Sequence, residues 1–150
     1  MKDIFDPAVT DEQIRRIRTL TPDTRPLWGR MNAAQMLAHV CVSYEMVYED
    51  KHRRPGILLR TLLRAFVKSG VVSEKPYPRS APTAPAFRIT GPRDFERERD
   101  RLVDYLRRTQ ELGGDHFDGK ESHSFGPLTR VEWNNLFYKH LDHHLTQFGV

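Results

Sequence analysis

Apolar residues recur at helical spacing in four stretches of the chain. Ile14, Ile17 and Leu20 form a short stripe near the N-terminus, and Met36, Leu37, Val40, Cys41, Tyr44, Val47 and Tyr48 form a denser one. Phe95, Leu102, Tyr105 and Leu106 stand among charges in a third stretch, and Trp133, Leu136, Phe137 and Phe148 mark a fourth. This periodicity predicts an amphipathic helix in each case. Local signals bound the helices. Thr10 caps the first, with Gln13 reaching back, and Thr21-Pro22-Asp23 ends it. Asn32 caps the second, with Gln35 at its third position, and the pattern runs to about Asp50. The third spans Asp94 to Leu112 and is stopped by Gly113-Gly114, while Thr129 and Glu132 open the last with another capping box. Ile57 to Lys68 forms a short basic helix, with Leu58, Leu59, Leu62, Leu63 and Phe66 apolar and Arg60, Arg64 and Lys68 charged. It reads as a surface helix packed on its own domain, with a membrane-surface or partner-binding helix as the alternative. Gly70–Pro92 is proline-rich loop, 115–128 is a second loop, and no strand pattern or internal repeat stands out. The expected fold is all-α: an up-and-down four-helix bundle with one short extra helix, in a single domain over residues 1–150.

Composition narrows the setting. A chain of 150 residues with 38% hydrophobic residues supports one packed core. The single cysteine, Cys41, excludes an intramolecular disulfide framework and lies in an apolar helix, where an inert core thiol is expected. The N-terminus lacks the apolar core of a signal peptide, and no stretch approaches a membrane span, so a cytoplasmic protein with no membrane association is the expectation. The net charge of +4 does not by itself indicate nucleic acid. Basic and acidic residues are interspersed over much of the chain, and no nucleic-acid motif is present.

The candidate chemistry lies in the last helix. His140 and His144 are four residues apart, which on a helix puts both on one face. With roughly 100° per residue, they fall about 20° to either side of Trp133, in the middle of the apolar stripe. His143 lands at the rim and Asp142 points away. Two imidazoles so placed can share a metal ion, but a site needs a third ligand. His39, inside the second helix with Gln35 and Ser43 nearby on its face, is the leading candidate, because bundles build metal sites from facing helices. His116 and His123 are weaker candidates, since loops place ligands less accurately. His52, in a basic run, is expected to face solvent.

The segment Trp28-Gly29-Arg30-Met31-Asn32-Ala33-Ala34-Gln35-Met36-Leu37-Ala38-His39 resembles the opening of DinB-like (YfiT-like) proteins. The tail resembles one branch of that superfamily: His123-Ser124-Phe125-Gly126-Pro127-Leu128-Thr129, Trp133, then His140-Leu141-Asp142-His143-His144-Leu145-Thr146-Gln147-Phe148-Gly149. The resemblance covers most of the chain. It implies a four-helix bundle, often dimeric, and a three-histidine metal site that falls on His39, His140 and His144. It also implies metal-assisted chemistry on a low-molecular-weight thiol, as in thiol S-transferases and thiol-dependent isomerases. The tail departs from the better-known relatives, with Leu145-Thr146-Gln147 in place of Arg-Gly-Gln and an additional His143.

The resulting expectation is a metal-dependent enzyme acting on a small molecule, by transfer to a thiol or by hydrolysis. A divalent ion (Zn or Ni foremost, with Fe, Mn and Co compatible) would activate water or thiol. Gln35 or His143 would orient a ligand or bound water. A non-catalytic metal- or ligand-binding, stress-associated protein is the alternative. A homodimer is compatible with either.

Overall fold

A computed structural model describes residues 1–79 and 81–150 of the chain. The first helix, α1, spans Pro7–Thr19 and starts earlier than the Thr10 signal suggests. Asp6 caps it by accepting from the Ala8 amide, and Pro7 sits in the first turn, where its fixed φ suits the helix and its missing N–H costs nothing. Thr10 is instead buried and donates its hydroxyl hydrogen to the Ile4 carbonyl at 2.6 Å.

Helix α2, Ala33–Tyr48, opens on the expected capping box of Asn32 and Gln35. It is buried on nearly every side from Ala33 to Glu45, which makes it the central helix. Two short helices follow, α3 (Ile57–Phe66) and α4 (Lys68–Val72). Helix α5, Phe95–Phe117, carries a break at Gly113, whose φ of +73° L-residues rarely adopt. Gly113 therefore kinks this helix, and a further turn follows to Phe117. A small antiparallel hairpin pairs β1 (Glu121–Ser122) with β2 (Gly126–Pro127) in the segment expected as loop. Thr129 and Glu132 then form the expected capping box for α6, Arg130–Gln147.

Helix α2 packs along α5 and against α6, while α1 closes on α5 and α6. A stack of rings binds them: Tyr44 of α2 lies 4.9 Å from Phe137 of α6 and 5.6 Å from Tyr105 of α5, centroid to centroid. Phe137 continues to Trp133 at 5.3 Å and Phe117 at 5.5 Å, and Phe117 to Phe5 at 5.3 Å. Trp133 and Phe137 thus belong to this core. Helix α4 packs on α6, where buried Lys139 donates through Nζ to the carbonyls of Gly70 (3.0 Å) and Lys75 (3.1 Å), and also to that of Ser73. This anchors the chain as it leaves α4, just before it crosses the histidines.

Helix α3 departs from expectation. It buries no residue, and its apolar side faces outward, with Leu58 77% and Phe66 81% exposed. Arg60 pairs with Glu121, and Lys68, just after α3, pairs with Glu132. The charged side of the segment is therefore the one tied to the body. Among the described residues, no helix is long and apolar enough to cross a membrane.

Candidate metal centre

The sequence of α2 sets His39 on the face that meets α6. The i, i+4 spacing of His140 and His144 turns both toward it. The three side chains offer ligand nitrogens that all lie within 4.8 Å of one another, and no carboxylate or cysteine joins the cluster among the described residues. Ring centroids are 4.5 Å apart for His39 and His144, 5.0 Å for His39 and His140, and 4.9 Å for His140 and His144. The Nε2 atoms of His39 and His140 approach to 3.0 Å. His39 and His144 are buried, at 5% and 8% exposure, and His140 is half-buried.

Each Nδ1 is engaged on the outer side of the cluster. His39 Nδ1–H donates to the Phe87 carbonyl at 2.8 Å, in the short 3-10 turn Pro85–Phe87 that packs on α2. His144 Nδ1 meets Gln147 Oε1 at 2.8 Å, and Gln147 Nε2 donates to the Trp28 carbonyl at 2.7 Å. The two partners fix which way the Gln147 amide points, so His144 Nδ1 carries the proton. In neutral His39 and His144, Nε2 is therefore a lone-pair donor facing the cluster. His140 Nδ1 lies 2.8 Å from Ser43 Oγ. A hydroxyl can donate or accept, so Ser43 supports either tautomer of His140. With the hydroxyl donating, His140 Nε2–H bonds to His39. With it accepting, three Nε2 lone pairs converge.

That convergence fits a divalent ion. At nitrogen distances of 2.0–2.1 Å, a tetrahedral ion separates its ligand atoms by roughly 3.3 Å, close to the 3.0 Å observed for His39 and His140. The donor set of three imidazoles suits Zn, Ni, Cu and Fe. Outer hydrogen bonds of this kind fix the ring and the tautomer of a ligating histidine. Electrostatics agree. Burial holds His39 below the usual imidazole range. Burial, with His144 and His39 as neighbours, holds His140 well below it. Burial, with His39 adjacent, brings His144 down to about 3. All three are neutral at pH 7, as ligation requires.

Other expected residues fall elsewhere. Gln35 accepts from the Asn32 amide at 3.1 Å and donates to the Gly91 carbonyl at 3.1 Å, and it has no hydrogen bond to the cluster among the described residues. Its side chain serves the helix start and the loop. His143 lies beside the cluster, its ring 5.1 Å from His144, 5.9 Å from Trp28 and 5.6 Å from Tyr77. His116 sits near Lys120, and His123 contacts Ser124 and the His52 carbonyl, so neither joins the cluster. His52 does not simply face solvent: its Nε2 meets Glu45 at 2.8 Å. Cys41 is buried, and burial pushes its thiol up to about 12, which leaves it inert.

Gln147 and Gly29 are among the positions that escaped sequence reasoning. Gln147 was legible in principle, three residues beyond His144 on the same helix. Gly29 was not. Its φ is +88°, and a Cβ there would sit 2.5 Å from Gln147 Nε2, so glycine lets the chain approach the amide that holds His144.

Comparison of the chain with curated proteins and with solved structures finds no match. A match to a protein family extends over residues 6–149 and takes in all three histidines of the cluster. The chain belongs to that family, described as protein of unknown function (DUF1569).

Proposed function

We propose that the protein is a metal-dependent enzyme acting on a small molecule, with His39, His140 and His144 holding one divalent ion. We read the four long helices as the up-and-down bundle of DinB-like proteins, which agrees with the Trp28–His39 and His140–Gly149 motifs. One observation carries the functional reading: three neutral imidazoles, two buried and one half-buried, bring ligand nitrogens within 4.8 Å of one another while each Nδ1 has an oxygen partner. Zinc or nickel suits this set best, and Fe, Mn and Co are compatible.

When bound, such an ion supplies Lewis acidity that brings water or a thiol toward its anion near neutral pH. The protein's own part is positional. Phe87, Ser43 and Gln147 hold the three rings, and Tyr77, 6.5 Å from His140 centroid to centroid, walls the site together with Phe87, 5.7 Å away. Among the described residues no carboxylate joins the cluster to act as general base, which favours Lewis-acid chemistry on a thiol or water. Cys41 is inert, so a reacting thiol comes from a second molecule. The enclosure of His39 and His144 also suits the alternative, a bundle that holds metal without turnover.

The test is elemental analysis of protein purified without chelator, beside a His140→Ala/His144→Ala variant, followed by thiol-transfer and hydrolysis assays with the metal found. Near-stoichiometric metal lost in the variant, with turnover in one assay, supports the proposal. Metal without turnover moves the reading to the non-catalytic alternative. Failure to take up Zn, Ni, Fe or Mn on reconstitution removes the metal site itself.

A further inference from the structure

We propose that Arg79 and the indole N–H of Trp28 form an anion-binding subsite beside the three-histidine centre. The small molecule accepted there then carries a carboxylate or comparable anionic group, in addition to the group it presents to the histidines. This rests on the metal-centre reading above.

Three observations carry it. First, the Arg79 guanidinium lies over the Trp28 ring, 4.5 Å from its centroid, and has no carboxylate or hydrogen-bond partner among the described residues. A cation stacked on an aromatic face keeps its in-plane N–H fork free for a planar oxyanion. Second, Trp28 Nε1 is buried and has no acceptor among the described residues. An unmet donor in such a position carries a desolvation cost that a ligand oxygen would relieve. Trp28 is tied to the centre twice: its carbonyl accepts from Gln147, the partner of His144, and its ring packs against His143.

Third, the chain that covers the centre is uniformly basic. Tyr77 packs against His140 and His143, and Phe87 holds His39. The sequence from Lys75 to Arg93, which contains both of these rings, has Lys75, Arg79, Arg88 and Arg93 and no Asp or Glu. Glu74, just before it, pairs with the N-terminal ammonium, and Asp142 beside His143 pairs with Arg16 at 2.6 Å. Three neutral ligands would leave the charge of a divalent ion uncompensated, and the rim adds positive potential where an acidic neighbour would otherwise balance it. Such a rim draws anions and disfavours cations.

The experiment is calorimetric titration of Zn-reconstituted protein with three small thiols of similar length: mercaptoacetate, 2-mercaptoethanol and cysteamine. Zinc content is measured in the same samples. Mercaptoacetate is expected to bind at least about tenfold more tightly than 2-mercaptoethanol, and cysteamine more weakly than either. Arg79→Met should bring the carboxylate preference below about threefold with zinc content unchanged. Trp28→Phe, which keeps the ring and removes the donor, should fall between. Affinities indifferent to charge, or a preference that survives both variants, overturn the subsite while leaving the metal centre standing. Loss of zinc on purification, or no binding by any of the thiols, brings down the underlying reading and the subsite with it.

Discussion

The pH profile of metal binding tests the burial of the three imidazoles directly. Metal and proton compete for the same nitrogens, so affinity falls as pH drops through the pKa of each free ligand. Three imidazoles at the ordinary value of about 6.5 would each be roughly nine-tenths protonated at pH 5.5. The combined loss relative to pH 7.5 would be about a thousandfold. In this protein burial moves all three downward: His39 below its usual value, His140 well below, and His144 to about 3. A group whose folded pKa lies below the assay pH has no proton to surrender. The apparent Zn affinity of the folded protein should therefore change by less than about tenfold between pH 7.5 and 5.5. Competition against a chromophoric chelator of known proton affinity measures this, with circular dichroism at each pH to show that the chain stays folded. A loss approaching a thousandfold, with a slope near three protons per metal, would refute the reasoning, since it would place the rings in ordinary solvent.

The same depressed values make the chelated protein acid-sensitive. The unfolded chain takes up protons near pH 6.5 before the folded one does, so stability is complete above that pH and declines below it, for His144 down to about pH 3. His144 alone contributes up to about 5 kcal/mol of that loss, and urea unfolding of EDTA-treated protein should show a shallower pH slope in His144→Leu than in the parent. Gln147→Leu removes the acceptor for His144 Nδ1 and the donor to Trp28. It should weaken metal binding by about 10–100-fold, and an unchanged affinity would mean that the ring is held by packing alone. Phe137→Ala, in the core ring stack, should cost about 3–5 kcal/mol of unfolding free energy. Phe66→Ala, at 81% exposure on α3, should change it by less than about 0.5 kcal/mol, and equal losses would show that α3 packs on the body after all.

What the sequence disclosed, and what it hid, follows the reach of each interaction. Both capping boxes were legible because Asn32 with Gln35, and Thr129 with Glu132, lie within one helical turn. The start of α1 was misread because two such local signals compete, and burial of Thr10 against Ile4 leaves the cap to Asp6. Helix α3 shows the limit of periodicity: spacing separates an apolar face from a charged one but does not say which face meets the body. Here Glu121 and Glu132, far along the chain, decide it. The metal centre repeats this gradation residue by residue. His140 and His144 converge by local geometry, and Gln147 supports His144 from the same helix. Ser43 is four residues from His39 in sequence, yet its partner is His140 on the facing helix, a pairing that depends on the register between α2 and α6. The third support, the Phe87 carbonyl, has no side-chain signature at all, because every residue owns a carbonyl. Gln35, the polar residue the sequence offered for that role, is spent on the helix start it helps to cap. A ligand set can thus be read from histidine spacing, whereas the groups that fix its tautomers become visible only as the chain between α4 and α5 is laid across the site.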